Sequence, residues 1–262
     1  MINLENKKII AFDLDGTLAE SKQHLEAYMS DLLCELAMHK TVAIITGGSF
    51  EQFQKQFLPF FNPILKNRKI IMSNLILLPT CGSRRYEYDG EKGQWMMTDI
   101  EEFPRDIKVK VLEELEKIVS THQYGIGAIT EGDEVVEDRI TQITLSALGQ
   151  HAPIDKKKLW DNDQKKRLQI KQDLEAKLPK VNIIIGGTTS IDILPFGFDK
   201  AKGLIRLLDK RGMTINDMIF FGDAIFPGGN DYSAYEAGIE SIKVSGPEET
   251  SRILKEYLKI TK

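Results

Sequence analysis

Little in this sequence invites cross-linking, membrane insertion or polyanion binding. Among 262 residues there are two cysteines, Cys34 and Cys81, too few for a disulfide framework. The four histidines are widely scattered, and no zinc-ligand spacing occurs. No apolar run approaches the ~18 residues that suggest a membrane span. The formal net charge of −4 argues against a general nucleic-acid binder, which would carry a basic surface. It leaves room for a small phosphorylated substrate, because one local cationic pocket is enough. The opening MINLENKKIIAFD lacks the apolar core of a signal peptide, so a cytoplasmic location is expected. No internal repeat or low-complexity linker appears. With 42% hydrophobic and 28% charged residues, the balance is that of an ordinary globular protein, long enough for one large domain or two modest ones.

The stretch that organises the chain is Ile9-Ile10-Ala11-Phe12-Asp13-Leu14-Asp15-Gly16-Thr17-Leu18. Four apolar residues read as a strand buried on both faces. Two acids follow where that strand ends, and ligands bind at that edge in open α/β sheets. Gly16 supplies the freedom to swing Asp15 round toward a group that Asp13 attacks. A bare Asp-x-Asp-Gly is equally well an ordinary Asp-Gly turn.

Downstream, Leu25, Met29, Leu32, Leu33 and Leu36 fall at helical spacing. A second short strand, 41–45, ends at Thr46-Gly47-Gly48-Ser49 and leads into a helix over 50–57. Strand, helix and strand within about forty residues make a βαβ unit and hence a parallel sheet. The Thr46–Ser49 turn suits a phosphate, because glycines let N–H groups approach it and a helix N-terminus favours anions. It equally suits a plain cap by Ser49. Residues 70–78 read as a further strand.

From about residue 84 the pattern becomes α+β. A hairpin turns at Asp89-Gly90, helices follow at about 105–121 and 163–178, and strands at 140–146 and 181–185. The α/β pattern resumes with Ser190–Pro195 and a helix opening at Lys200, whose ammonium is a compact charge suited to phosphate or carboxylate. By itself Lys200 reads more simply as a solvated surface lysine. The buried strand Met218–Gly222 then delivers Asp223, and Pro227-Gly228-Gly229-Asn230-Asp231 folds back beside it. Asp223, Asn230 and Asp231 together make a plausible hard-cation site of oxygen ligands. A strand over 241–244 and a helix over 248–259 close the chain. The expected fold is therefore α/β: a Rossmann-like parallel sheet core with helices on both faces (1–83 and 188–262) and an inserted α+β cap domain (84–187).

FDLDGTL after a buried strand resembles the first motif of the haloacid dehalogenase superfamily. TGGS, a lysine at a helix start and GD followed by GGND occur in that superfamily's order, with the insertion placed as in its C2-capped branch. GGSFEQF, GGTTSIDILPFGFDKAKGL, FFGDAIFPGGND and SGPEETSRIL are similar to the eukaryotic-type phosphomannomutases, and this resemblance covers nearly the whole chain.

The resemblance implies that Asp13 is the nucleophile, becoming an aspartyl-phosphate, and that Asp15 is the general acid/base. It implies Mg2+ bound by Asp13, the Asp15 carbonyl and Asp223, supported by Asn230 and Asp231. Thr46, Gly47, Ser49 and Lys200 would hold the reacting phosphate. In the cap and hinge, Arg139, Gln150, Lys157, Ser190 and Asp192 fall at substrate-contacting positions. The family grips a second phosphate with cap arginines, and here Gln150 and Lys157 stand where two of them are expected. Losing one bidentate contact costs about 1.5–3 kcal/mol, or one to two decades in affinity. The expectation from sequence therefore leans to a Mg2+-dependent phosphatase of sugar phosphates or similar small metabolites, with phosphomannomutase the alternative and a silent sugar-phosphate-binding regulator the third reading. The family's cap domains often pair, so a homodimer through the cap is also expected.

Overall fold

The computed structural model describes residues 4–63 and 65–260. The described residues contain the strands β1 (Ile9–Asp13), β2 (Thr41–Ile45), β3 (Leu75–Leu78), β4 (Arg84–Asp89), β5 (Gln94–Ile100), β6 (Val136–Asp138), β7 (Ile143–Ser146), β8 (Val181–Gly186), β9 (Ser190–Pro195), β10 (Met218–Gly222) and β11 (Glu240–Lys243). They divide into two compact units, residues 1–100 with 200–262, and residues 101–199.

The first unit is built on a seven-stranded sheet in the order β11-β10-β1-β2-β3-β4-β5. Strands β11 through β3 pair in parallel, and the β4–β5 hairpin adds two antiparallel strands at one edge. Every residue of β1 is buried because both faces are covered. Ile10 and Phe12 face one apolar cluster, shared with Leu33 and Leu36 of the helix Ala27–Ala37 and with Phe53 and Phe57. Ile9 and Ala11 face the other, shared with Leu204 and Leu207 of the helix Lys200–Lys210. The chain leaves β1 toward β2 on one side and returns to β10 on the other. The acids that end β1 therefore stand at the point where strand order reverses, where such sheets bind ligands.

The second unit is a four-stranded antiparallel sheet in the order β6-β7-β9-β8. Ile143, Leu145, Ile191 and Ile193 pack on one face against Val111 and Leu115 of the helix Arg105–Ser120 and Ile170 and Leu174 of the helix Lys165–Lys177. By strand alternation Thr144, Ser146, Ser190 and Asp192 belong to the opposite face.

Three expectations are corrected. The hairpin at 84–100 extends the first sheet through Ile76↔Glu87 and Leu77↔Tyr86, so the second unit begins at 101 and not at 84. Ser190–Pro195, expected in the core, is the inner strand β9, paired with β7 and β8, so the second unit runs to 199 and not to 187. Of the strand expected over 70–78, only Leu75–Leu78 is extended, and Arg68–Ser73 is helical. A short apolar run does not by its period separate the two states, and here Ile71 and Met72 are buried while Ile70 is exposed.

Candidate active site

β1 delivers Asp13 at its last residue, where the side chain is 4% exposed. Lys200 opens its helix and is fully buried, so it is not the solvated surface lysine of the simpler reading. Its Nζ donates to Asp13 Oδ1 and to Asp231 Oδ1, both at 2.6 Å. The second oxygen of Asp231 accepts the N–H of Ala224 at 3.0 Å. Asp223, at the end of β10, completes the group: carboxylate oxygens of Asp13, Asp223 and Asp231 lie within 4.8 Å of one another. Gly16 is needed here, with φ of +83° and its Cα so close to Asp223 that a Cβ would come within 2.7 Å of the carboxylate. Asn230 precedes Asp231 on the same loop and is half-buried.

Lys200 is placed by backbone contact. A Cβ on Gly203, one turn along the same helix, would lie 2.3 Å from the Cys81 carbonyl oxygen and 2.9 Å from the Gly82 Cα. The helix therefore rests directly on the segment after β3.

With all three carboxyls ionised, the group would carry an excess of two negative charges against the one Lys200 ammonium. Burial pushes the Asp13 carboxyl well above its ordinary range, opposed by Lys200 and reinforced by Asp231 and Asp15. Burial also raises Asp223, with Asp231 adding and Lys200 opposing. For Lys200 burial works against the charge, but Asp13 and Asp231 outweigh it and push the ammonium up. An all-oxygen donor set with surplus negative charge fits Mg2+, a hard cation that prefers carboxylate oxygens.

Asp15 lies beyond the strand and is held by three donors. The Lys22 N–H reaches Oδ1 at 2.6 Å, the Gln56 amide reaches Oδ1 at 3.0 Å, and the Gln52 amide reaches Oδ2 at 2.8 Å. The Gln52 amide also donates to Gln56 Oε1 at 2.7 Å. The segment after Ser49 is helical over Phe50–Gln52 and widens to a π-helix over Phe53–Phe57, a local form common at functional sites. Thr46 Oγ1 accepts the Gly48 N–H at 3.1 Å, and the Ser49 side chain makes no capping hydrogen bond. The plain-cap reading of Ser49 is thereby removed. Gln52 and Gln56 were not anticipated. Their spacing of four, just after the Thr46–Ser49 turn, is the signal that puts both amides on one helix face.

In the second unit the five anticipated residues are hydrogen-bonded to one another and to neighbouring side chains. Arg139 pairs with Glu137 at 2.6 Å, and Gln150 donates to the same Glu137 oxygen at 2.9 Å and to Ser146 Oγ at 2.8 Å. The Ser146 and Ser190 hydroxyls are 3.5 Å apart, and Lys157, 5% exposed, donates to the Gln150 carbonyl at 2.6 Å. Asp192 accepts from Thr144 at 2.8 Å, and Thr144 accepts from Gln142 at 3.0 Å. Glu137, Gln142, Thr144 and Ser146 were missed, although the alternation in Thr141–Ser146 would have put the last three on one face.

The sequence profile of the family described as "Eukaryotic phosphomannomutase" matches residues 29–260. This chain belongs to that family. Among relatives, a probable phosphomannomutase of Caenorhabditis elegans is 25% identical over 260 residues, covering 97% of this chain and 96% of the relative. The phosphomannomutase of Encephalitozoon cuniculi is 26% identical over 268 residues, covering 97% and 95%. A Bacteroides thetaiotaomicron haloacid dehalogenase-like hydrolase superposes with a TM-score of 0.61 at 16% identity, covering 96% of this chain and 99% of that one. An IMP-bound Plasmodium falciparum IMP-nucleotidase superposes with a TM-score of 0.69 at 17% identity, covering 98% and 69%. At such identities the structures establish the fold. This phosphomannomutase-family chain is thus an enzyme with a haloacid dehalogenase-like fold. No helix among the described residues is long and apolar enough to cross a membrane.

Proposed function

We propose that this protein transfers the phosphoryl group of a hexose phosphate through an aspartyl-phosphate at Asp13, and that the mutase reaction of its family is the better-supported outcome. The observation that carries the reading is the buried Asp13–Lys200–Asp231 group, with Asp15 fixed close by. An Asp13 oxygen attacks phosphorus in line, and the bond from phosphorus to the sugar oxygen breaks. Asp15 donates its proton to that leaving oxygen. In the second step Asp15 takes a proton from an acceptor hydroxyl, which attacks the aspartyl-phosphate and frees Asp13.

Thr46, Gly47 and Ser49 hold the phosphate oxygens, and Lys200 neutralises charge that develops on them. Asp13 and Asp223, with the Asp15 carbonyl, would hold Mg2+, which supplies further positive charge to the phosphoryl oxygens when bound. Asp231 has both oxygens engaged, by Lys200 and by Ala224, so we assign it and neighbouring Asn230 to support of the site. Arg139, Gln150, Lys157, Ser190 and Asp192 are assigned to the sugar and its far phosphate. A cytoplasmic location and a homodimer through the second unit accompany this reading.

One observation favours a second reading, a sugar-phosphate phosphatase with water as acceptor. Arg139 is already paired with Glu137, and Lys157 is spent on a backbone carbonyl, which leaves less charge for a second phosphate.

The deciding experiment supplies mannose 6-phosphate with Mg2+, with and without a hexose bisphosphate. Formation of mannose 1-phosphate that needs the bisphosphate, and that Asp13→Asn abolishes, is the expected result. Release of inorganic phosphate alone moves the assignment to the phosphatase. Neither product across a broad phosphomonoester panel overturns the reading.

A further inference from the structure

Two arginines in this chain are equally buried, each 3% exposed, and they are treated differently. Arg167 is fully partnered: its guanidinium donates to Asp161 Oδ2 at 2.7 Å, to the Asp161 carbonyl and to the carbonyls of Gly186 and Gly187. Arg84 has no such set. Its Nε is buried with no hydrogen-bond partner, and among the described residues its side chain forms no ion pair. A guanidinium does not give up its proton in a protein, so Arg84 stays charged. A buried charge without a counter-charge is strongly unfavourable, and it is retained where something else supplies the anion.

The position of Arg84 indicates which anion. It is the first residue of β4, and β4 runs antiparallel to β3, so Arg84 stands at the edge of the sheet where β1 and β2 end. By alternation it shares a face with Tyr86, whose ring stacks on Phe50 at 3.8 Å, and Phe50 directly follows Ser49. Two residues along a strand is ~7 Å, so Arg84 lies one such step beyond that stack, toward the Thr46–Ser49 turn. The segment leading into β4 is tied to the same turn: the Thr80 N–H donates to the Gly48 carbonyl at 2.7 Å and the Cys81 N–H to the Thr46 carbonyl at 2.8 Å.

We propose that Arg84 is a further phosphate-binding residue of the first unit, gripping an anionic oxygen of a phosphate ester held beside the Thr46–Ser49 turn. This deepens the phosphoryl-transfer reading and rests on it for the identity of the ester. The guanidinium fork matches two phosphate oxygens, which a lysine would not.

The test uses inorganic phosphate as the probe on the full chain, comparing wild type, Arg84→Met and Arg84→Lys by calorimetry and by thermal unfolding with and without phosphate. Arg84→Met is expected to weaken phosphate binding roughly ten- to a hundredfold. Without phosphate its Tm should equal or exceed that of wild type, because an unpartnered buried charge has been replaced by an apolar chain. Arg84→Lys should fold and bind phosphate with intermediate affinity, which keeps the test open should the methionine variant misfold. A fall in Tm without phosphate, together with unchanged phosphate affinity in either variant, would make Arg84 structural and overturn the proposal. Wild-type turnover of phosphoesters with a KM unmoved in both variants would also sink it while leaving the function standing. Phosphate binding that depends on Arg84, without turnover of any phosphoester, would do the reverse.

Discussion

The two units treat buried charge in opposite ways. In the first, Asp13, Asp223 and Asp231 crowd together with Lys200 bonded to two of them, and burial raises the carboxyls of Asp13 and Asp223. In the second, the charges balance internally: Arg139 with Glu137, Arg167 with Asp161, and Lys157 against a carbonyl. The first arrangement carries more carboxylates than cations, a surplus that a bound cation would balance. In the second, the named cations already have partners within the unit.

Removing the ammonium that pairs with Asp13 and Asp231 should have the largest effect. In Lys200→Met, the buried carboxylates Asp13 and Asp231 lose their counter-charge, and breaking such a buried pair costs about 3–5 kcal/mol. Urea unfolding without metal should show that loss, and turnover should fall by at least ~10²–10³ from lost charge stabilisation. Unchanged stability would show that the carboxyls are protonated and that the contrast between the units is smaller than drawn.

Adding a cation to the second unit sharpens the contrast from the other side. Gln150→Arg places a guanidinium beside Ser146 and Glu137, and should tighten binding of a hexose bisphosphate by roughly ten- to a hundredfold. The ratio of isomerised to hydrolysed product should rise with it. A flat bisphosphate titration would mean that Glu137 absorbs the new charge as it does that of Arg139.

The third effect is graded with pH. In the metal-free protein Asp13 and Asp223 bind protons more tightly than unfolded carboxyls do, because burial raises both. Metal-free stability should therefore fall as pH rises from the ordinary carboxylate range through these raised values, since there the native state binds more protons than the unfolded chain. Mg2+ competes with those protons, so its affinity should rise with pH and its binding should release protons. Calorimetry in two buffers of different ionisation enthalpy measures that release. Zero release near pH 6 would place both carboxyls in the ionised form before metal arrives.

The sequence made the first unit's site far more legible than the second's. Asp13, Asp15, Lys200 and Asp223 each end a buried strand, follow one or open a helix, and such positions are visible in apolar runs and turn residues. The tie between Asp15 and Gln52 crosses 37 positions and depends on the π-turn, which has no such pattern. The hairpin over 84–100 was recognised as a hairpin but assigned to the wrong sheet, because alternation in Arg85-Tyr86-Glu87-Tyr88 is the same whichever strand it joins. The Glu137–Arg139 pair went unseen for a different reason. Only the resemblance singled out Arg139, and it carried no reason to ask which acid two residues away on the same strand face would claim it.

The seating of Gly203 on the Cys81 carbonyl has a consequence for variation in this protein. A single added methyl group there would lift the first turns of a helix and draw an ammonium away from its two acids, with every reacting group still present and every charge unaltered. Loss of activity by such a change would look, from a census of functional residues alone, like a silent polymorphism.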